Sequence, residues 1–319
     1  MKAIPTRAFG STGIQVSEIC LGTMQFTWTC TAAMGRRVLD AYWAAGGFFI
    51  DTADSYTTWH PGNVGGEAET IIGDWMRRKK NRDRVFLATK CQMRVWPGST
   101  GEGLSRVHIF SAIDASLNRL RTDHVDLLQC HWPDWSVSNE ETLRALGDLV
   151  AAGKVRYIGC SNYPSGLLGE ALALARWGNY PRFVSAQPKY NLMARDFEQD
   201  HVWLVKKYGV AVIPYSPLCA GFLTGKYRRG KPVPPSQRVE WQKDLLGEKL
   251  WRVVETLEKL GKARGKTVAQ MALGWHLSHD WMTAPIVGAN SPEQLKDSLG
   301  AAGLKLTPEE MKELDEASK

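Results

Sequence analysis

Four side chains capable of moving protons stand directly behind short apolar runs in this chain. Asp51 follows Phe48 to Ile50, Tyr56 ends the stretch "DTADSY" that begins there, Lys90 follows "VFLAT", and His131 follows "VDLLQC". Together they suit proton donation to a carbonyl oxygen. A phenol has an ordinary pKa of about 10 and is a weak acid near neutral pH, but a neighbouring ammonium favours its phenolate. Lys90 can supply that charge, Asp51 can hold Lys90 and offset part of its burial cost, and His131 can orient a carbonyl oxygen or relay a proton. Tyr56 is then the candidate general acid. Nothing in the set delivers electrons to carbon, so a reduction requires a cofactor.

The elements that must position these groups are legible as an alternation. Short β-branched or apolar runs occur at 18–22, 48–51, 85–89, 125–130, 155–161, 183–187, 210–215 and 283–288. Helix-period segments lie between and after them at 31–45, 67–80, 105–121, 139–152, 165–177, 196–208, 246–279 and 292–299, with cap signals such as "SNEE" at 138 and "SPEQ" at 291. Eight strand–helix units without a break in pattern predict an α/β fold, a closed (β/α)8 TIM barrel forming one domain over residues 1–319. Such a barrel carries its site at the C-terminal strand ends, which adds Ser161, Asn162, Gln187, Tyr215 and Ser216 to the polar residues at one mouth. Residues 7–17 read as an N-terminal β-hairpin turning at Ser11 to Gly13 and capping the bottom of the barrel. The proline-rich, basic stretch 221–245 reads as a functional loop.

Hydrophobic content of 44% with 13 tryptophans supplies a large core, and the +7 formal charge is scattered. A nucleic-acid partner is therefore not expected. "MRRKKNRDR" reads as a solvated helix end, and "KYRRGK" as a candidate for holding a phosphorylated ligand. Six cysteines without metal-finger or C-x-x-C spacing fit reduced thiols in a cytoplasmic protein. No apolar run approaches the ~18–20 residues of a membrane span.

The dinucleotide fingerprint G-x-G-x-x-G is absent, and its weak mimic "GNVGGE" (62–67) does not directly follow a strand, so it reads as a loop leading into a helix. Eight stretches in order nevertheless resemble one family: "GTMQF" (22–26), "DTADSY" (51–56), "ATK" (88–90), "VDLLQCHWPD" (125–134), "GKVRYIGCSN" (153–162), "SAQPKYN" (185–191), "YSPLCAGFLTGKY" (215–227) and "PIVGANSPEQL" (285–295). The sequence is similar to aldo-keto reductases over nearly its whole length, in the bacterial branch that also resembles potassium-channel β subunits. The resemblance implies NADPH, with NADH as the alternative, reducing an aldehyde or ketone through the tetrad Asp51, Tyr56, Lys90 and His131. It implies that Ser161, Asn162 and Gln187 bind the carboxamide, that Tyr215 stacks on the nicotinamide, and that Ser216, Leu218 and Gly221 hold the pyrophosphate. Lys226, Arg238, Gly288, Asn290, Gln294 and Ser298 match positions around the adenosine and its 2′-phosphate. Gln294 and Ser298 stand where many relatives have Arg and Asn. Gly22, Thr23 and Met24 of the first stretch and Pro217, Leu223 and Gly225 of the seventh complete the expected cofactor set.

The insert "YTTWHPGNVGGE" brings Trp59 and His60 toward the mouth, where Trp28, Trp132 and Trp135 are also expected. With His131, the residues Trp28, Trp59 and Trp132 are the candidate substrate wall, for a small carbonyl compound or for a sugar-like, ring-shaped or extended one. A cofactor-binding regulatory subunit similar to channel β subunits is the rival reading, and the complete tetrad counts against it. A metal-dependent barrel built on His276, His279 and Asp280 is the other, but their i, i+3 spacing reads as a solvent-facing helix end, and no metal is expected.

Overall fold

Inward-facing and outward-facing positions alternate along eight short strands, and that alternation decides which residues reach the site. A computed structural model describes residues 3–234, 236 and 239–319. The strands are β1 (Cys20–Gly22), β2 (Phe49–Asp51), β3 (Phe86–Cys91), β4 (Val125–Cys130), β5 (Val155–Ser161), β6 (Phe183–Gln187), β7 (Ala211–Val212) and β8 (Ile286–Gly288). They pair in parallel, in chain order, with β8 beside β1. The ring is completed where the amides of Thr283 and Ala284 donate to the Val212 carbonyl at 3.0 and 3.3 Å and that of Ile286 to the Pro214 carbonyl at 2.9 Å. The (β/α)8 barrel expected from the alternation is the fold.

Helices α1 (Ala32–Ala44), α2 (Glu67–Lys79), α3 (Arg106–Leu120), α4 (Asn139–Ala151) and α5 (Ser165–Gly178) follow the first five strands. Ser138 and Ser291 accept hydrogen bonds from the Glu141 and Gln294 amides, as their cap signals predict. The segment 196–208, expected as one helix, is α6 (Phe197–Asp200) and α7 (Val202–Tyr208), divided at His201. His201 is engaged by the Tyr163 carbonyl at 2.9 Å and by Asp200 at 2.6 Å. The long region 246–279 likewise divides into α8 (Glu248–Arg264) and α9 (Val268–Ser278), because Gly265 ends the first at φ 61° and the Thr267–Gln270 capping box starts the second. After α10 (Pro292–Leu299) comes α11 (Pro308–Ala317), which the sequence reading omits although "TPEE" forms a capping box with proline in the first turn.

The hairpin pairs Thr6–Ala8 with Gln15–Ser17. Its Phe9 sits inside the bottom of the barrel, 5.8 Å from the Phe49 ring and 5.0 Å from the Phe86 ring. Outward positions such as Ile50, Leu87, Leu128 and Cys160 join the apolar layer between sheet and helices. All six cysteines are free thiols. No helix among the described residues is long and apolar enough to cross a membrane.

Candidate active site

Stepping by two along the strands carries the barrel interior from aromatic to charged. Phe49 leads to Asp51, Phe86 through Ala88 to Lys90, and Leu127 to Gln129; Lys90 pairs in register with Gln129, and Asp51 with Ala88, one inward step before Lys90. Lys90 is fully buried. Its Nζ donates to Asp51 Oδ2 at 2.6 Å, to the Tyr56 hydroxyl at 2.7 Å and to the Thr52 carbonyl at 2.8 Å. The Tyr56 hydroxyl also lies 3.4 Å from Asp51 Oδ2. His131 completes the group, its ring 5.9 Å from that of Tyr56.

The electrostatics differ from the sequence expectation in one respect. Burial, reinforced by the Asp51 carboxylate, raises the Tyr56 phenol well above its ordinary pKa, so the lowering expected from Lys90 is not the net outcome. Desolvation dominates because the phenol is largely removed from water, which disfavours its charged form. The phenol is therefore protonated at neutral pH, the state a proton donor requires. His131 is lowered to about 3 by burial and by the Lys90 ammonium, so its imidazole is neutral.

Tyr56 is delivered by a tethered loop. Thr57 has the left-handed φ of 72°, rare for a β-branched residue. Glu67, at the start of α2, accepts from the amides of Val64 at 2.7 Å and Gly65 at 3.0 Å and from Thr57 Oγ1 at 3.3 Å. "GNVGGE" is thus loop and helix start, as read. Asp54 is buried, and burial followed by the Glu69 charge pushes its carboxyl well above the usual range.

A cleft of about 560 Å³ opens above these groups. Gly22, Met24, Asp51, Tyr56, His131, Trp132, Ser161, Asn162, Gln187, Tyr215, Ser216, Pro217, Leu218, Gly221, Lys226, Gly288, Asn290, Gln294 and Ser298 line it. Thr23 and Leu223 are buried behind the wall, and Thr23 Oγ1 donates to the Asp51 carbonyl at 3.0 Å. Gly225 stands against α9, where a Cβ would lie 2.9 Å from Val268 Cγ2. Arg238 lies outside the described residues. Trp28 and Trp59 do not line the cleft; they form an edge-on pair at 5.4 Å. Of the "KYRRGK" knot only Lys226 faces the cleft, while Arg228 pairs with Glu258 and Arg229 with Glu248 and Glu255.

The donor set of the cleft suits a dinucleotide. Asn162 and Ser216 take left-handed φ values of 61° and 58°. Asn162 is fixed by the Tyr215 hydroxyl, which donates to its Oδ1 at 2.9 Å, and by its own Nδ2, which donates to the His131 carbonyl at 3.0 Å. Gly221 has φ 97°, and a Cβ there would lie 3.2 Å from Lys226 Nζ, so the absent side chain leaves a cradle beside a cation. The N-terminus of α10 faces the same end of the cleft, a geometry that favours phosphate. Asp297 also lines this end, with its Oδ1 accepting from Thr267 and Gln270, each at 3.0 Å.

His276 and His279 are not at a solvent-facing helix end as the spacing suggested. His276 is fully buried and His279 partly so, packed against Tyr190, Trp275 and Trp281. His276 Nε2 meets the Pro217 carbonyl at 3.3 Å and so touches the loop that walls the cleft. The i, i+3 spacing is equally an inward stripe, and the flanking aromatics were the available signal. Gln129 was also missed, although a lone amide inside the buried strand "VDLLQC" is itself a signal. No group of three or more His, Cys, Asp or Glu side chains among the described residues could hold a metal ion.

Comparison with known proteins agrees with the barrel. The model of the Aldo/keto reductase family matches residues 18–319, and the chain belongs to that family of oxidoreductases. It is 32% identical to a norsolorinic acid reductase of Aspergillus flavus over 96% of this chain and 79% of that protein. It is 34% identical to an uncharacterized oxidoreductase, YrpG, of Bacillus subtilis over 96% of this chain and 94% of that one. A putative voltage-gated potassium channel subunit beta of Schizosaccharomyces pombe is 33% identical over 99% of this chain and 93% of its own length.

Proposed function

We propose that the chain, acting as one barrel domain in the cytoplasm, is a nicotinamide-dependent carbonyl reductase in which Tyr56 gives the proton that converts a carbonyl oxygen to a hydroxyl. The observation that carries this is the buried Lys90 ammonium, 2.6 Å from Asp51 and 2.7 Å from the Tyr56 hydroxyl at the floor of the cleft. NADPH, or NADH in its place, supplies when bound the hydride for the carbonyl carbon. Ser161, Asn162 and Gln187 would hold its carboxamide, Tyr215 its ring, Ser216, Leu218 and Gly221 its pyrophosphate, and Lys226 with Arg238 its ribose phosphate.

The chain's own residues do the rest. Burial keeps the Tyr56 proton in place until a carbonyl oxygen draws it away, and the phenolate then forms beside the Lys90 ammonium. Asp51 holds that ammonium in register. Neutral His131 binds the same carbonyl oxygen, and Trp132 offers a ring face at the rim. The likeness to norsolorinic acid reductases favours a substrate akin to norsolorinic acid over a small aldehyde. The likeness to a channel subunit keeps a low-turnover regulatory role as the second reading.

Fluorescence titration with NADPH and NADH, followed by turnover of a panel of aromatic and aliphatic carbonyls, tests the proposal. Binding of neither cofactor would overturn it, and binding without turnover of any carbonyl would favour the regulatory reading. Tyr56→Phe is expected to lower turnover about 10²–10⁴-fold and to leave cofactor affinity nearly intact. Retained turnover would mean that another group is the acid.

A further inference from the structure

Asp51 divides its two carboxylate oxygens between different neighbours. Oδ2 serves Lys90 and Tyr56, whereas Oδ1 accepts from two buried amides, Gln129 Nε2 at 3.1 Å and Gln187 Nε2 at 3.0 Å. Gln187 Nε2 also donates to Gln129 Oε1 at 3.1 Å, which closes a triangle. A carboxylate has no proton to give, so each amide must turn its nitrogen toward Oδ1. The second hydrogen of Gln187 Nε2 then goes to Gln129, and Gln187 Oε1 is the atom left for the cleft that Gln187 lines.

From this triangle we infer that Gln129 is a positioning residue: it locks the Gln187 amide so that the cleft meets a hydrogen-bond acceptor suited to the NH₂ of a nicotinamide carboxamide, and it steadies Asp51 against Lys90. The inference rests on the nicotinamide reading of the cleft. Space for Gln129 is built into the neighbouring strand, because a Cβ on Gly159 would lie 3.3 Å from Gln129 Cγ and 2.1 Å from Ser185 Oγ. The titratable groups around the junction are Asp51 itself, Lys90 from β3, Tyr56 from the loop after β2, Cys20 from β1, His131 at the end of β4 and Tyr215 beyond β7.

Two ligands separate this role from a merely structural one: NADP⁺, and its 3-acetylpyridine analogue, in which a methyl group replaces the carboxamide NH₂. Wild-type protein that binds neither would sink the nicotinamide reading itself. Given wild-type binding, Gln129→Leu is expected to weaken NADP⁺ about tenfold, as for one lost hydrogen bond, and to leave the analogue nearly unaffected. Equal loss of both ligands, or loss of neither, would overturn the role of Gln129. Gln129→Glu gives a second reading if the leucine variant does not fold. A protonated glutamic acid reproduces the amide contacts, while its carboxylate repels Asp51, and burial beside a like charge raises its pKa. NADP⁺ affinity in that variant should approach wild type at about pH 6 and fall at least tenfold by about pH 9, a fall beyond any in the wild type. A pH profile parallel to the wild type would count against the proposal.

Discussion

The two ends of the barrel are made from the same strands, Phe49 and Asp51 two residues apart and Phe86 and Lys90 four apart, and obey opposite rules. At the bottom Phe49 meets Phe9 and Phe86 edge to face, with its ring centre 5.1 Å from that of Phe86, among Val184, Ile213 and Ala284. This end gains stability from apolar area and aromatic geometry. At the top Asp51, Lys90, Gln129 and Gln187 are equally buried, but they are polar and bond to one another, with the Tyr56 hydroxyl and the Thr52 carbonyl completing the partners of Lys90. Removing two charges from water costs several kcal/mol per ion before their attraction is counted, so such a cluster is a poor device for stability. The contrast teaches that the bottom holds the barrel together and the top uses that rigidity to keep a costly constellation in place.

The largest way to break the contrast is at Lys90. Lys90→Met leaves the Asp51 carboxylate buried without its cation and should lower stability by about 3–5 kcal/mol, with carbonyl turnover down by about 10²–10⁴-fold. Urea unfolding and steady-state rates measure the two losses. Adding Asp51→Asn should recover much of the stability and none of the turnover. Recovery of turnover would show that the charges do not serve the chemistry.

Next comes the apolar end. Phe86→Ala removes a ring that touches both Phe9 and Phe49 and should cost about 3–5 kcal/mol in unfolding free energy. Cofactor affinity and kcat should stay near wild type at temperatures where the variant is folded. A variant that keeps its stability but loses cofactor binding would erase the division between the ends.

Much of this was legible because strands two to seven end in, or lead directly into, polar residues at the C-terminal mouth of the barrel. Asp51, Lys90 and His131 could be read from strand ends, and the hairpin from "FGSTG". Interactions between strands were less legible. Gln129 acquires meaning only when β2 and β6 place Asp51 and Gln187 beside it, and no spacing within "VDLLQC" says so. The net raising of the Tyr56 phenol was missed for a related reason, since burial is a property of the assembled site. The paired histidines failed differently. Polar residues near a helix end were assigned to solvent, whereas Tyr190, Trp275 and Trp281 enclose them.

Those histidines give the smallest and most local test. Burial lowers His276 to about 3 and His279 to about 4, and His131 also falls to about 3. An unfolded chain takes up a proton on each as pH falls below about 6.5, while the folded chain resists until about 3 to 4. Their contribution to stability is therefore fully present above about pH 6.5 and is lost as pH falls toward the folded values. For fully buried His276 alone the slope is about 1.4 kcal/mol per pH unit. His131 lines the cleft and His276 meets the loop that walls it. Unfolding free energy should thus fall between about pH 6.5 and 5, before most carboxylates titrate. Hydrogen exchange over the same range should rise first in residues 216–225 and α9, because burial disfavours a charged His276 despite its contact with the Pro217 carbonyl. His276→Leu should flatten that slope and leave the strand segments around Phe49 and Phe86 unchanged. Earliest opening around the phenylalanines would place the acid-sensitive element at the wrong end of the barrel.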